Sequence, residues 1–195
     1  MIAVVDLGIG NLANVRKALG GVITSDPYAI EGAEKIVLPG VGNFGAVMEK
    51  LEPLRGVIID AINDGKPLLG ICLGLQLLFE GSEESPGKPG LGVFRGNVVR
   101  FQGVRVPHIG WNQVWQRKEC PLFEGIKDGA YFYFVHSYYA LPEEDVTVGV
   151  TDYESKGAKV VFTSAVCRDN VYAVQFHPEK SGRNGLRLLE NFRRL

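Results

Sequence analysis

Residues 66–80 read KPLLGICLGLQLLFE, and this stretch decides how the rest of the chain is organised. Its first part is a short apolar run behind a proline, which predicts a strand. The part after Cys72 is rich in unbranched apolar residues, which predicts a helix. The cysteine therefore lies at the turn between a strand and a helix. Gly70 and Gly74 flank it, because a turn this tight leaves no room for a Cβ on either side.

The pattern Gly-x-Cys-x-Gly at residues 70–74 is the sulfur counterpart of the nucleophile elbow, in which a sharp strand-to-helix turn exposes a nucleophile. The positive end of the helix dipole favours a thiolate at Cys72. The backbone N–H of Leu73 is free to donate to a developing oxyanion. A buried core cysteine would produce the same local pattern, so the elbow alone leaves a structural cysteine open.

A second stretch near the C-terminus supplies the groups that a cysteine nucleophile needs. Residues 170–176 read NVYAVQF and predict a strand that ends at His177, where Pro178 stops it. His177 and Glu179 are two residues apart, so in extended backbone they point to the same side and the carboxylate can reach one imidazole nitrogen. Cys72, His177 and Glu179 then act as a nucleophile, a base and a group that orients the base. Taken alone, His177 could also be a surface histidine at a strand end.

Strand and helix patterns alternate in the first half of the chain, which predicts a parallel sheet with helices on both faces. Strands are predicted at 2–7, 35–38 and 66–71, and helices at about 11–19, 57–63 and 73–80. After a polar loop at 81–92, antiparallel strands are predicted within 93–106, 111–115, 130–141, 146–150 and 159–167, and a last helix at about 184–195 carries Leu186, Leu189 and Phe192 on its apolar side. We therefore expect a three-layer α/β fold with a mostly parallel twisted sheet and added antiparallel strands in the C-terminal half, as a single domain over residues 1–195.

Composition and charge argue against several classes of protein. The net charge is −1, which gives no broad attraction to nucleic acids or acidic membranes. No apolar run approaches the roughly 18 residues that span a bilayer, and the N-terminus lacks the basic region of a secretory signal. Cys72, Cys120 and Cys167 have the spacing of neither a disulfide framework nor a zinc site. We expect a cytoplasmic protein that binds no nucleic acid or membrane and uses no metal or cofactor.

The two stretches together resemble the signatures of the class I, or triad, glutamine amidotransferases. The resemblance covers nearly the whole chain and includes GICLGLQ at 70–76, QFHPE at 175–179 and a Pro-Gly loop at 39–40. Within this class the finer resemblance is to the glutaminase subunits of imidazole glycerol phosphate synthases. The segments that carry it are GIGN at 8–11, PGVGNF at 39–44, HIGWN at 108–112, HSY at 136–138 and PEKS at 178–181.

The resemblance implies hydrolysis of L-glutamine to glutamate and ammonia. The Cys72 thiolate attacks the side-chain amide, His177 moves protons and Glu179 holds the imidazole, so that a glutamyl thioester forms and water then releases glutamate. The other residues that the resemblance implies are Gly42, Gln76, Ser137 and Tyr138 at the substrate and the N–H groups of Val41 and Leu73 at the oxyanion. Because glycines flank Val41, a peptide plane there can rotate between donating and non-donating states. We therefore expect low activity in isolation and stimulation by a partner with its nucleotide ligand.

A chain of this length holds one glutaminase domain, so the ammonia needs an acceptor on another chain. The resemblance implies a separate (βα)8-barrel cyclase subunit in a heterodimer. This cyclase uses the ammonia to make imidazole glycerol phosphate and AICAR ribonucleotide in histidine biosynthesis. The partner-facing residues that the resemblance implies are Asn11, Asn14, Trp111, Tyr138 and Lys180. An exposed tryptophan would suit an interface anchor, whereas an ordinary core tryptophan is the alternative.

Other interpretations stay open from the residues alone. Gly8, Gly10 and Ala13 match the dinucleotide-binding fingerprint after the first strand, with Asp26 as the acidic residue. The elbow also fits a cysteine peptidase, and a non-catalytic subunit is a further alternative. Among amidotransferases, the glutaminases of anthranilate, carbamoyl phosphate and pyridoxal phosphate synthases share the chemistry but have other acceptors. His108 and His136 adjoin aromatic strands and are expected to be structural.

Overall fold

The fold is organised around β-strands from both halves of the chain. The structure, a computed structural model, describes residues 1–8, 10 and 12–195. Its strands are β1 (Ile2–Val5), β2 (Val22–Thr24), β3 (Lys35–Gly40), β4 (Leu68–Cys72), β5 (Gly81–Ser82), β6 (Gly96–Arg100), β7 (His108–Gln116), β8 (Ala130–His136), β9 (Tyr138–Pro142), β10 (Thr147–Ser155), β11 (Ala158–Arg168) and β12 (Val171–Val174).

Helices connect the strands of the first half, and the last element of the chain is also a helix. They are α1 (Leu12–Leu19), α2 (Pro27–Glu31), α3 (Phe44–Leu51), α4 (Arg55–Asn63), α5 (Leu73–Leu77) and α6 (Gly182–Arg194). Short 3₁₀ turns lie at Glu52–Leu54, Pro121–Phe123 and Pro178–Lys180. The last of these turns begins four residues after the end of β12; His177 directly precedes it and Glu179 lies within it.

In the described part of the chain, nine strands form one mixed sheet in the order β2-β1-β3-β4-β12-β11-β10-β7-β8. The strands from β2 to β12 in this order are parallel, and those from β12 to β8 are antiparallel. A smaller sheet contains β5, β6 and β9. Since β4 and β12 are parallel neighbours, the turn after β4 and the segment after β12 emerge at the same edge.

Helices cover both faces of the parallel strands, because alternate residues of each strand point to opposite sides. On one face, Ala3 and Ile36 pack in a core with apolar residues of α2, α3, α4 and α5. On the other face, Val4 and Val37 pack in a second core with residues of α1 and α6. The predicted α/β fold with helices on both faces and added antiparallel strands is confirmed.

Several predicted elements differ in extent. The predicted strand at 130–141 is two strands in different sheets, because the chain bends at Ser137. Within 93–106 only Gly96–Arg100 is a strand, and helices α2 and α3 were not predicted. Leu186 is exposed, whereas Leu188, Leu189 and Phe192 are buried. Steps of three residues each drift by about 60° around a helix, so the predicted 186–189–192 row leaves the buried face.

Candidate active site

Cys72 occupies a strained turn between β4 and α5. Its backbone has φ 54° and ψ −107°, and it is one of only three non-glycine residues with positive φ in the described chain. Such a conformation costs on the order of 1–3 kcal/mol and persists only where the surroundings enforce it. A Cβ on Gly70 would lie 2.9 Å from the carbonyl oxygen of Gly74. The glycines therefore let the helix fold back over the strand and present the sulfur at its end.

The turn lies where three parallel strands end side by side. In the register of β3 and β4, Gly40 is opposite Cys72. In the register of β4 and β12, Ile71 is opposite Val174. Residues 175–177 therefore leave the sheet next to the cysteine. The carboxyl ends of adjacent parallel strands thus gather the elbow, the Gly40–Gly42 loop and the C-terminal motif at one edge.

His177 and Glu179 form a close buried pair. The Nδ1 atom of His177 lies 2.8 Å from Oε1 of Glu179, and the two side chains are 3% and 2% exposed. A carboxylate oxygen can only accept, so Nδ1 carries the proton and donates it. Among the described residues, neither Nε2 of His177 nor Oε2 of Glu179 has a hydrogen-bond partner. The free Nε2 is the nitrogen that can exchange a proton at the site.

The electrostatics of this edge favour a charged imidazole. Burial by itself lowers the pKa of His177, but the interactions with the Cys72 sulfur and the Glu179 carboxylate outweigh it and raise the pKa to about 10. Residues 175–177 leave the sheet next to Cys72, so the charged imidazole and the sulfur lie at the same edge. A charged imidazole can donate a proton, and the thiolate is the nucleophilic form of cysteine.

Backbone contacts hold the histidine in place. Its N–H donates to the carbonyl oxygen of Tyr133 on β8 at 2.8 Å. The hydroxyl of Ser181 donates to the His177 carbonyl at 2.6 Å and accepts from the Tyr133 N–H at 2.9 Å. These bonds join β8 to the turn Pro178–Lys180, so the imidazole is positioned by strands from the antiparallel half of the sheet.

A cavity of about 310 Å³ opens at the cysteine. It is lined by Val41, Gly42, Cys72, Leu73, Gln76, Glu84, Pro107, Val135, His136, Ser137 and Tyr138. All residues predicted at the substrate and at the oxyanion therefore lie around one cavity. Glu84, Pro107 and Val135 were not predicted, because they come from loops and a strand without a local motif.

The loop that follows β3 has the conformation that its glycines allow. Gly42 has a φ of 105°, in the region that favours glycine. Val41 borders the cavity and lies near Gly10, whose added Cβ would be 3.8 Å from the valine Cγ2. Leu73 begins α5, so its N–H has no partner within the helix. The two residues predicted to supply the oxyanion donors thus both border the cavity.

A hydrogen-bond chain below the cavity reaches the cysteine sulfur. Nε2 of Gln76 donates to the Tyr138 carbonyl and to Oε1 of Gln175, both at 3.1 Å. Nε2 of Gln175 in turn lies 3.6 Å from Sγ of Cys72. Gln175 was not predicted as a functional residue. Its position two residues before His177, in the stretch predicted as a strand, was the available signal.

His108 and His136 form a buried hydrogen-bonded pair next to this chain. Nδ1 of His108 and Nε2 of His136 are 2.9 Å apart, and Nδ1 of His136 donates to the Tyr138 carbonyl at 2.8 Å. Nε2 of His108 accepts from Asn112 at 3.3 Å. Burial lowers the pKa of His108 to about 4 and that of His136 to about 3. With these pKa values both rings are neutral at pH 7.

The predicted partner-facing residues come from several elements. Trp111 on β7 is 55% exposed, and its ring centroid lies 6.2 Å from that of Tyr133. Nζ of Lys180 lies 5.9 Å from the centroid of the Tyr133 ring. Tyr138 instead lines the cavity. Asn14 is exposed on α1, which packs against the turn Pro178–Lys180, and the predicted residue Asn11 lies outside the described residues.

Within the described chain, no group of three or more histidine, cysteine, aspartate or glutamate side chains is placed to hold a metal ion. None of the helices in the same residues combines the length and apolarity needed to cross a lipid bilayer.

The site thus combines a strained cysteine, a histidine–carboxylate pair and a small cavity at the edge of an α/β sheet. Comparison with protein families matches residues 12–194 to the family Glutamine amidotransferase class-I. The chain belongs to this family. The family match argues against the dinucleotide-binding alternative. Of the segment 8–11 on which that alternative rested, Ile9 and Asn11 lie outside the described residues.

Within the family, two relatives that match along 98% or more of this chain are each named imidazole glycerol phosphate synthase subunit HisH. The Pyrococcus furiosus protein is 68% identical over 195 residues, which cover 100% of this chain and 98% of the relative. The Methanocaldococcus jannaschii protein is 50% identical over 197 residues, covering 98% of each chain.

Solved structures with low sequence identity share the fold. A glutamine amidotransferase crystal structure has a TM-score of 0.75 at 18% identity and covers 98% of this chain and 96% of its own. PurLQS from Thermotoga maritima has a TM-score of 0.72 at 19% identity with the same coverage. At these identities the likeness concerns the fold alone.

Proposed function

We propose that this chain hydrolyses the side-chain amide of L-glutamine at Cys72 and passes the ammonia to a cyclase subunit that makes imidazole glycerol phosphate. The observation that carries the proposal is the strained Cys72 beside the buried His177–Glu179 pair, at a cavity that Gln76, Ser137 and Tyr138 also line. A volume of about 310 Å³ suits a small ligand.

The first half of the reaction forms a thioester. The Cys72 thiolate attacks the amide carbonyl carbon, and the carbonyl π electrons move to the oxygen. The N–H of Leu73 and, after its peptide turns, the N–H of Val41 stabilise this oxyanion. The His177 imidazolium gives its Nε2 proton to the amide nitrogen. The carbon–nitrogen bond then breaks, and ammonia leaves.

The second half releases glutamate. His177 is now neutral and takes a proton from water through Nε2, and the resulting hydroxide attacks the thioester carbon. Collapse of the second oxyanion breaks the carbon–sulfur bond and returns the electron pair to Cys72. Glu179 accepts from Nδ1 throughout, so the ring keeps one orientation in both halves.

The partner is proposed from the names of the relatives, which are subunits of imidazole glycerol phosphate synthase. We propose a (βα)8-barrel cyclase that receives the ammonia in a heterodimer, with both enzymes cytoplasmic. Trp111, Tyr133 and Lys180 form a cluster in which exposed Trp111 and Lys180 flank half-buried Tyr133, and Lys180 is next to Glu179 in the turn that follows His177. A partner seated on this cluster would receive ammonia over a short distance. Tryptophan and tyrosine are also among the residues that dominate interface energy.

The proposed function is tested by measuring glutamate release from glutamine, with and without an imidazole glycerol phosphate cyclase subunit and its nucleotide substrate. We expect low activity for the isolated chain, strong stimulation in the complex and none for Cys72→Ala. Activity indifferent to this cyclase would keep the glutaminase chemistry but require another synthase. Absence of activity under all conditions would refute the role of Cys72.

A further inference from the structure

We propose that Gln175 is a further catalytic residue, whose side-chain N–H donates to the Cys72 sulfur and stabilises it as a thiolate. This inference rests on the proposed function, because it concerns the same nucleophile. Gln175 Nε2 lies 3.6 Å from Cys72 Sγ, which is a reacting atom of that mechanism.

The backbone determines which end of the Gln175 amide faces the sulfur. The Tyr138 carbonyl can only accept, so the Gln76 atom that lies 3.1 Å from it must be the nitrogen. The same nitrogen lies 3.1 Å from Gln175, so the atom of Gln175 that it meets must be the oxygen. The remaining end of Gln175, its NH₂ group, therefore points to Cys72. If the Gln175 amide were flipped, its NH₂ group would face the NH₂ group of Gln76, and neither could accept.

The Gln175 amide is also held rigidly. Its side chain is fully buried, and its backbone N–H donates to the Ser164 carbonyl at 2.9 Å. The Tyr138 carbonyl that orients Gln76 accepts a second hydrogen bond from His136, which limits its movement. A donor that is already oriented loses little entropy when it bonds a charged acceptor, and such charge-assisted bonds are the strong ones.

This arrangement acts at two steps of the reaction. Before attack, the N–H shares the negative charge of the sulfur with the imidazolium of His177. When the thioester is hydrolysed, the carbon–sulfur bond breaks and the electron pair returns to sulfur, so the same N–H stabilises the leaving thiolate. The hydrogen bonds to Tyr138 and Gln175 occupy the side-chain nitrogen of Gln76. Its Oε1 atom is therefore free to accept from a donor group of the substrate.

The test measures alkylation of Cys72 by iodoacetamide in the full-length chain, followed by mass spectrometry across a pH series. We expect Gln175→Leu to slow alkylation at pH 7 about tenfold or more, as the loss of a hydrogen bond to a charged group implies. We expect Gln175→Glu, which keeps the shape, to slow it further at pH 7 because a carboxylate then faces the sulfur. Its rate relative to wild type should recover as the pH falls and that carboxyl becomes an O–H donor.

The matched control is Asn191→Leu, which removes a buried side-chain amide that bonds carbonyls at Leu122 and Glu124, on the α6 side of the molecule. It should change stability without changing the pH profile of Cys72 alkylation. Glutamine turnover in the complex should show a lower kcat for Gln175→Leu with KM changed less than about threefold, because Gln175 is not placed at the substrate.

The outcomes separate this inference from the function on which it rests. If the rates of Cys72 alkylation in Gln175→Leu lie within twofold of those of an active wild type, the role of Gln175 is overturned but the proposed function is not. Equal slowing of alkylation by Asn191→Leu has the same consequence. A wild-type complex that releases no glutamate overturns the proposed function and this inference with it. Recovery of Gln175→Glu at low pH supports an N–H or O–H donor at the sulfur, which a purely structural role would not produce.

Discussion

Gly74 packs so closely against Leu38 that a Cβ on the glycine would lie 1.7 Å from the leucine carbonyl oxygen. Through this contact the first turn of α5 packs against β3, next to the strained Cys72. The elbow therefore depends on the neighbouring strand as much as on its own sequence, because the approach of two backbones leaves space for hydrogen alone.

Gly74→Ala should destabilise the fold severely. The added methyl group would clash with the carbonyl oxygen of Leu38. This oxygen cannot shift, because β3 lies inside the sheet between β1 and β4. We expect the free energy of unfolding to fall by about 3 kcal/mol or more, at the upper end of single-substitution effects. Gly56→Ala is the matched control, since nothing lies within 4 Å of its added Cβ in α4. Urea unfolding should show Gly56→Ala stabilised by about 0.5–1 kcal/mol, and an equal response of both variants would contradict the close packing.

Glu179→Gln should lower kcat for glutamine hydrolysis about 100-fold, as is typical when general acid–base function is impaired. The neutral amide no longer stabilises the imidazolium, so the pKa of His177 should fall from about 10. The pH–rate profile of the complex measures both effects. Glu190→Gln, which removes a surface partner of Arg193 and Arg194, should leave the rate unchanged.

The same variant has a defined effect on stability. Because the pKa of His177 is raised above its ordinary value of 6.5, its charged form stabilises the fold fully below pH 6.5, and this contribution is lost as the pH rises through about 10. Glu179→Gln should therefore reduce the free energy of unfolding at pH 7 and have less effect above pH 10. An equal loss at both pH values would argue against a charged His177.

Gly42→Pro should abolish glutaminase turnover in the stimulated complex. The residue has a φ of 105°, which proline cannot adopt, and its ring restricts the peptide that carries Val41. Binding of the partner, measured by calorimetry, should persist because the loop lies at the cavity. Intact turnover in this variant would refute the proposal that a peptide at this loop rotates to form the oxyanion site.

Trp111→Ala should weaken binding of the cyclase partner by roughly thirtyfold or more, in the range of interface residues that carry about 2 kcal/mol. The side chain is largely exposed in the isolated chain, so the unfolding midpoint should hardly change. Tyr28→Ala removes an exposed aromatic side chain on α2 and serves as the control. Calorimetric titration that showed equal affinities for both variants would exclude the Trp111, Tyr133 and Lys180 cluster as the partner surface.

The neutral pair His108 and His136 should make the protein sensitive to acid. Their pKa values are lowered to about 4 and about 3, so the unfolded chain binds more protons and stability falls as the pH drops below 6.5 towards 4. His136→Gln keeps a donor for the Tyr138 carbonyl and an acceptor for His108 but does not titrate. Urea midpoints at pH 7 and pH 4 should differ less in this variant than in wild type. An unchanged difference would show that the pair does not govern acid stability.

The sequence by itself determined those parts of the site that depend on neighbours along the chain. The elbow at residues 70–74 follows from two glycines and a cysteine between a strand pattern and a helix pattern. The sequence predicted the pairing of His177 with Glu179 from a spacing of two in extended backbone. In the structure the backbone is not extended there: Glu179 lies in the 3₁₀ turn Pro178–Lys180, and this turn brings its carboxylate to 2.8 Å from the imidazole. The layered α/β fold was likewise predictable, because alternation of strand and helix patterns is a property of short windows of sequence.

Only the tertiary structure decided which distant residues meet the sulfur and which side chains cluster at the surface. Gln76, Tyr138 and Gln175 come together because β9 and the segment after β12 both pass next to α5. Trp111 lies beside Tyr133 because the register of β7 and β8 sets them opposite each other. Tyr138, five residues further on, lies in the cavity instead. Strand register and helix packing are set by the core as a whole, so no local pattern records these contacts.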